Sequence, residues 1–221
     1  IKPLVSRVGE LGMPAVALTD QSNMFALVRF YKAATAAGVK PIGGVDVWLR
    51  NPEDANKPDR LVLLAQNREG YRNLTWLLSE AYRHGQHMGD RAWVSKQNLR
   101  QRCAGLIALS AATDGELGSV LLHGSPAQVT QVVDEYLDIF GDRFYIELQH
   151  TGRKGDEDDV RKAVALASEP ALVLIAGRYE GVDERLLEAE VEVADRNMRL
   201  YSVLERCNRQ VMALVRASGS L

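Results

Sequence analysis

At 221 residues, with 46% apolar and 25% charged side chains, the chain has the proportions of a folded domain with a real hydrophobic core. That composition excludes a disordered tail, a collagen-like repeat and a disulfide scaffold. Lys and Arg number 27 against 29 Asp and Glu, a net charge of −2, without the basic excess of a free-standing nucleic-acid binder. Cys103 and Cys207 lie far apart and are expected to be reduced thiols of a cytoplasmic protein. The longest apolar run, Ala171 to Ala176, is strand-sized, so no membrane span is expected. The opening Ile1-Lys2-Pro3 has no initiator Met and no signal-peptide pattern, which predicts a piece of something longer.

In chain order, Leu4, Val5, Val8 and Leu11 share one helical face that Gly12 closes. A strand is predicted at Ala15–Leu18, then a helix through Phe25, Val28, Tyr31 and Ala34 to Gly38. Strands follow at Pro41–Leu49 and Leu61–Ala65. Leu74, Leu77, Leu78 and Ala81 form the stripe of a helix that ends near Gly85. After a strand at Leu106–Ser110, Ser125-Pro126 is a helix N-cap with Pro in the first turn, and the pattern runs to Gly141. Phe144–Leu148 and Leu172–Ala176 complete the strands. The acidic run Asp156–Asp159 falls where a helix would begin, a favourable place for negative charge. Most strand candidates are continuous apolar runs, which predicts a parallel sheet covered on both faces: an α/β layer or barrel of repeated βα units.

From Asp183 to about Ala217 no proline interrupts a roughly helical apolar period, and a long C-terminal helix is predicted. Over residues 195–217, Arg196, Arg199, Arg206, Arg209 and Arg216 face only Asp195 and Glu205. This basic end is either a solvated helix face or a partner-binding helix.

Sites in α/β folds lie at the carboxyl ends of strands. The residues there are Thr19-Asp20-Gln21, Asp46, Gln66-Asn67, Ser110, Gln149-His150 and Gly177-Arg178-Tyr179-Glu180-Gly181. A metal-dependent hydrolase needs several converging His, Asp or Glu ligands, and only Asp20, Asp46 and His150 are candidates. His84 and His87 have a ligand-like spacing without a third partner, and His123 stands apart. No Gly-x-Ser-x-Gly elbow and no phosphate-binding glycine loop is present; Gly43-Gly44 sits within a strand. The crevice is nearly empty of catalysts.

Two stretches carry family resemblances. Leu11-Gly12-Met13-Pro14-Ala15-Val16-Ala17-Leu18-Thr19-Asp20, Leu27-Val28-Arg29-Phe30-Tyr31-Lys32, Gly38-Val39-Lys40-Pro41-Ile42-Gly43-Gly44-Val45-Asp46, Gly70-Tyr71-Arg72-Asn73-Leu74-Thr75, Gly105-Leu106-Ile107-Ala108-Leu109-Ser110 and Phe144-Tyr145-Ile146-Glu147-Leu148-Gln149 follow one another in family order. With them, residues 1 to about 169 resemble the PHP (polymerase and histidinol phosphatase) domain at the start of bacterial DNA polymerase III alpha subunits. The resemblance implies a distorted βα barrel, here incomplete and lacking its first strand. That family binds metals through an early His-x-His pair and later His, Glu and Asp residues. Its Thr-Asp-His reads Thr19-Asp20-Gln21 here, its Gly-x-Glu reads Gly44-Val45-Asp46, and a later His position is held by Arg60. The early pair and the closing Asn-Asp strand have no counterpart in this sequence. The resemblance thus implies a degenerate metal site at Asp20, Gln21 and Asp46, no bound metal or other cofactor, and a scaffold that docks a proofreading exonuclease subunit in DNA replication. The polymerase catalytic aspartates lie outside this chain, so no catalytic residue is assigned.

The second stretch, Leu172-Val173-Leu174-Ile175-Ala176-Gly177-Arg178-Tyr179-Glu180-Gly181-Val182-Asp183-Glu184-Arg185, resembles the cofactor loop of the bacterial tRNA guanine methyltransferase with a trefoil knot. It implies S-adenosylmethionine contacts at Gly177, Tyr179, Glu180 and Gly181, with Arg178 as an active-site arginine. The rest of that family's knot is replaced by the helical tail of residues 186–221, so the loop is expected to form no working pocket. The expected organisation is a PHP-like unit over 1–169, a methyltransferase-like strand and loop over 170–185, and the tail. Three functions follow as expectations: a non-catalytic PHP scaffold, a methyltransferase fragment, or a composite chain with no function. A barrel without its first strand also exposes unpaired strand edges, which predicts self-association.

Overall fold

In the computed structural model, the structure describes residues 1–51, 58–84, 91–149 and 172–176. Helix α1 (Lys2–Glu10) precedes β1 (Ala15–Gln21), α2 (Leu27–Ala36), β2 (Lys40–Leu49) and β3 (Asp59–Ala65). Then come α3 (Arg68–His84), β4 (Trp93–Val94), α4 (Lys96–Arg102), β5 (Leu106–Leu109) and α5 (Glu116–His123). Helix α6 (Pro126–Phe140), β6 (Phe144–Gln149) and β7 (Leu172–Ala176) finish the described chain.

One sheet runs in the order β1-β2-β3-β5-β6-β7, and β4 pairs with β2 at Trp48 and Leu49, beyond the point where β1 stops. The expected α/β class is what is seen, but the sheet is mixed. β3 is antiparallel to both β2 and β5. For β2 and β3 the reason is connection length: a parallel return needs a crossover of a dozen or more residues, and Leu49 and Asp59 are joined by fewer. β5, after the long connection through α3 and α4, runs in the direction of β2 and so against β3. Continuous burial of a strand says nothing of its direction, so the parallel expectation fails at β3.

The larger core lies between the sheet and α3, α4, α5 and α6. Val45, Val47 and Leu49 of β2 and Leu61 and Leu63 of β3 meet Leu74, Leu77, Leu99, Leu117, Tyr136 and Phe140 there. The rings of Tyr136 and Phe144 stack at 4.7 Å between centroids. A smaller core joins α1 to α2 through Val5, Val8, Phe30 and Ala34.

The sequence punctuation acts as its chemistry requires. Ser125 caps α6 through its side chain, and Gln128 returns the hydrogen bond as a capping box. Gly12, Gly38 and Gly141 end their helices with positive φ. Helices α4 and α5 and the two-residue β4 are too short for a periodic signal and were not expected. The predicted helix at Asp156–Asp159, the boundary near residue 169 and the C-terminal helix over 186–221 lie outside the described residues.

Candidate functional site

Alternation along β2 and β3 sorts charge from core. Val45, Val47, Leu61 and Leu63 face the helices, so Asp46, Trp48, Arg60 and Val62 share the opposite face. On that face Arg60 closes over Asp46. Its Nε donates to Asp46 Oδ1 at 3.1 Å, and Nη2 donates to Asp46 Oδ2, a bidentate fork. Nη1 donates to Asp114 Oδ2 at 2.7 Å. The Asp46 side chain is 8% exposed and that of Asp114 is 51%, so the carboxylate held by two nitrogens is also the one withdrawn from water. The Arg60 guanidinium lies 5.9 Å from the Trp48 ring centre, and that of Arg91 lies at 4.6 Å.

Asp114 reaches Arg60 because of a tightly built loop. Ala111 and Ala112 both take positive φ, 59° and 47°, which side chains with a Cβ rarely adopt. Gly115 closes the loop, since a Cβ there would lie 1.8 Å from the Ser110 carbonyl oxygen. Ser110 is fixed in turn: its N–H donates to the Tyr145 carbonyl at 3.0 Å, and its Oγ accepts from the Glu147 N–H at 2.9 Å.

The remaining sequence candidates do not converge. Gln21 stands directly across from Asp46 in the parallel β1–β2 register, but its residue is exposed. Asp20 is opposite Val45 and therefore on the other face from Asp46. Ser22 follows with φ 54°, and its N–H donates to the Asp46 carbonyl at 2.8 Å. Gln66 and Asn67 were expected at the carboxyl rim with the others. Because β3 runs the other way they lie at the opposite end, where Asn67 Oδ1 accepts the Gly70 N–H at 2.9 Å. For the same reason Arg60, at the start of β3, stands at the carboxyl rim of β2. Among the described residues, no three His, Cys, Asp or Glu come together as a metal-holding group. His84 pairs with Glu80 at 3.1 Å and His123 Nδ1 lies 3.2 Å from the Ser119 carbonyl. His87, His150 and the methyltransferase-like residues Gly177, Arg178, Tyr179, Glu180 and Gly181 lie outside the described residues.

A second polar cluster sits where α4, α5 and α6 meet. Lys96 Nζ bridges Glu116 and Glu135, both at 2.7 Å, Arg100 binds Glu135 at 2.8 Å, and Tyr136 donates to Glu116 at 2.9 Å. Burial raises the Glu135 pKa, but hydrogen bonds from Lys96 and Arg100 outweigh it and hold the carboxyl below its ordinary value. Burial, then the Glu116 charge, drives the Tyr136 hydroxyl well above the ordinary tyrosine value. Every charged member of the cluster is partnered, and it ties three helices together.

A mixed sheet under helices, with a charged clasp at the carboxyl rim of β2, defines an α/β domain with its polar site at strand ends. The family model described as PHP domain matches residues 1–151, and the chain belongs to that family. It is similar to the DNA polymerase III subunit alpha of Pseudomonas aeruginosa, 48% identical over 180 residues, 80% of this chain and 15% of that protein. The corresponding subunits of Vibrio cholerae and Escherichia coli K12 are 42% and 40% identical, covering 88% and 79% of this chain. The chain thus spans about one sixth of these relatives' length, 15% to 17%. Among solved structures it is similar to an amidohydrolase from Chromobacterium violaceum at a TM-score of 0.47 and 14% identity, over 80% of this chain and 82% of that one. The methyltransferase-like stretch falls beyond the family match; of it the structure gives β7, parallel to β6. No helix among the described residues is long and apolar enough to cross a membrane.

Proposed function

We propose that this chain is a PHP domain of a replicative polymerase alpha subunit that acts as a scaffold in DNA replication and not as a metal hydrolase. The observation that carries this reading is the fork of Arg60 on Asp46. A divalent cation at Asp46 would have to displace a guanidinium already bound to both carboxylate oxygens, and Arg60 would then be a part-buried positive charge beside the metal. Gln21 offers a neutral amide where the family's motif has a histidine, and Asp20 stands on the other face. The residues present do not fit a metal cluster, and no catalytic step follows from them. The domain's role is then to hold other parts of a replicative assembly, with the proofreading exonuclease subunit as the partner that the family resemblance implies.

Elemental analysis after incubation with zinc or manganese tests this reading. Sub-stoichiometric metal and no hydrolysis of p-nitrophenyl phosphate are expected. Near-stoichiometric metal that is lost on Asp46→Ala would overturn it. The S-adenosylmethionine reading rests on the sequence of residues 172–185 alone, and a titration with that cofactor decides it: a saturable thermal shift would restore it.

A further inference from the structure

Strand β1 stands at the end of the sheet. It pairs with β2 on one side and with no strand among the described residues on the other. Two hydrogen bonds fix which of its backbone groups face outward. The Lys40 N–H donates to the Pro14 carbonyl at 2.9 Å, and the Ser22 N–H donates to the Asp46 carbonyl at 2.8 Å. Successive residues of a strand turn their backbone groups to alternate sides, so Val16, Leu18 and Asp20 bond to β2 with them. Ala15, Ala17, Thr19 and Gln21 point their N–H and C=O groups the other way. Of these outward groups only the Gln21 carbonyl is bonded among the described residues, accepting from Asn23 Nδ2 at 2.8 Å. None of the residues of β1 is buried, and its sequence has no Pro, no Lys and no bulge to guard a free edge. Leu11 and Met13, leading into the strand, are 56% and 47% exposed. The edge is open, regular and apolar.

We infer that the free edge of β1 pairs antiparallel with β1 of a second copy of this chain, with the two-fold axis at Ala17. The register follows from the free groups, since outward residues must meet outward residues. Ala15 then faces Thr19 of the copy, Ala17 faces its own counterpart, and each pair exchanges both N–H to C=O bonds. Between them Val16 lies opposite Leu18 of the copy, two half-buried apolar side chains. Asp20 falls opposite Pro14, so the two acids do not meet. Moving the axis to Leu18 sets Asp20 against Val16 and calls on the Gln21 carbonyl that Asn23 already holds. The chain has no strand of its own to offer instead. Every strand candidate of the sequence already stands in this sheet, and from Asp183 onward the apolar period is helical. A two-fold pair also leaves no free β1 edge, so assembly through it stops at two copies.

Sedimentation equilibrium of the full chain over a range of concentrations is the test. The mass is expected to double as concentration rises and to go no further, while the amides of Ala15, Ala17 and Thr19 gain protection from hydrogen exchange. Ala17 is exposed, so a charge placed there spares the fold and meets its own counterpart across the axis. Ala17→Lys and Ala17→Glu are each expected to keep the mass of one chain, and an equimolar mixture of the two to regain the doubled mass. A single mass at every concentration, a mass that grows past two copies, or a dimer indifferent to Ala17→Lys would overturn the inference. So would a mixture that stays monomeric although both variants melt cooperatively. Protected amides at Ala15, Ala17 and Thr19 in a chain of single mass would also overturn it, because a segment of the same chain then fills the edge.

Discussion

Arg60 stands directly across from Trp48 in the antiparallel β2–β3 pair and binds Asp46, two residues earlier on the same face of β2. One side chain therefore covers a ring and neutralises a nearly buried carboxylate, locking β3 to β2 independently of the backbone ladder. Asp114 adds a third link, from the loop after β5.

Removing one partner of such a pair leaves a charge without compensation, whereas removing both costs little. Arg60→Met is expected to destabilise the fold by about 3–5 kcal/mol, because Asp46 is left nearly buried and alone. Asp46→Leu costs less, about 2–3 kcal/mol, because Arg60 keeps Asp114 and some water. The double variant should recover at least about 2 kcal/mol of the summed cost, a coupling that urea denaturation of all four proteins measures. Asp114→Ala, at a half-exposed carboxylate, should cost no more than about 1 kcal/mol.

The Lys96–Glu135–Tyr136 cluster makes stability depend on pH at both ends. Glu135 has a folded pKa below its unfolded one, so its contribution is complete above about pH 4.3 and is lost as pH falls through the folded value. Tyr136 has a folded pKa raised above its unfolded one, so stability is full below about pH 10 and declines as pH rises past it. Denaturation midpoints measured across pH should fall at both limits. Glu135→Gln should flatten the acid limb and Tyr136→Phe the alkaline limb, each lowering the plateau at neutral pH.

Most of the fold was legible because the elements that build it are long and carry their own punctuation. Gly12, Gly38 and Gly141 marked helix ends, and Ser125-Pro126 marked a start. Strand direction was not legible, because burial on both faces looks the same in either direction. That single ambiguity cost the candidate site its centre. Arg60 was visible as a replaced ligand in the family resemblance, but its place beside Asp46 needs β3 reversed. Asp114 was missed outright. Thr113-Asp114-Gly115 marks a turn by composition, yet nothing local shows that two left-handed alanines aim that turn at residue 60.

The capping box of α6 predicts a smaller effect. Ser125 Oγ accepts the Gln128 N–H, and Gln128 Oε1 accepts the Ser125 N–H at 2.8 Å. Ser125→Ala should lower stability by about 1 kcal/mol, and Ser125→Asp should restore most of it, as thermal melts of the two variants would show.

Two glycines should respond in opposite directions to the same substitution. Gly70 lies in the first turn of α3, where a Cβ would come 1.8 Å from the Gly105 carbonyl oxygen. That carbonyl accepts the Gln66 N–H at 2.9 Å, and Asn73 Nδ2 donates to the neighbouring Ala104 carbonyl at 2.8 Å. Backbone meets backbone there, so no side chain can swing aside. Gly70→Ala must lift α3 from the turn before β5 and loosen the helix that supplies Leu74 and Leu77 to the core, a cost of at least about 3 kcal/mol. Gly9 sits near the end of α1 with nothing within 4 Å of where its Cβ would be, and its φ is not positive. Gly9→Ala removes freedom from the unfolded chain without a clash and should stabilise by about 0.5 kcal/mol. Equilibrium urea denaturation of both variants checks the pair. A neutral Gly70→Ala would mean that α3 does not rest on the Ala104–Gly105 turn as closely as its hydrogen bonds place it.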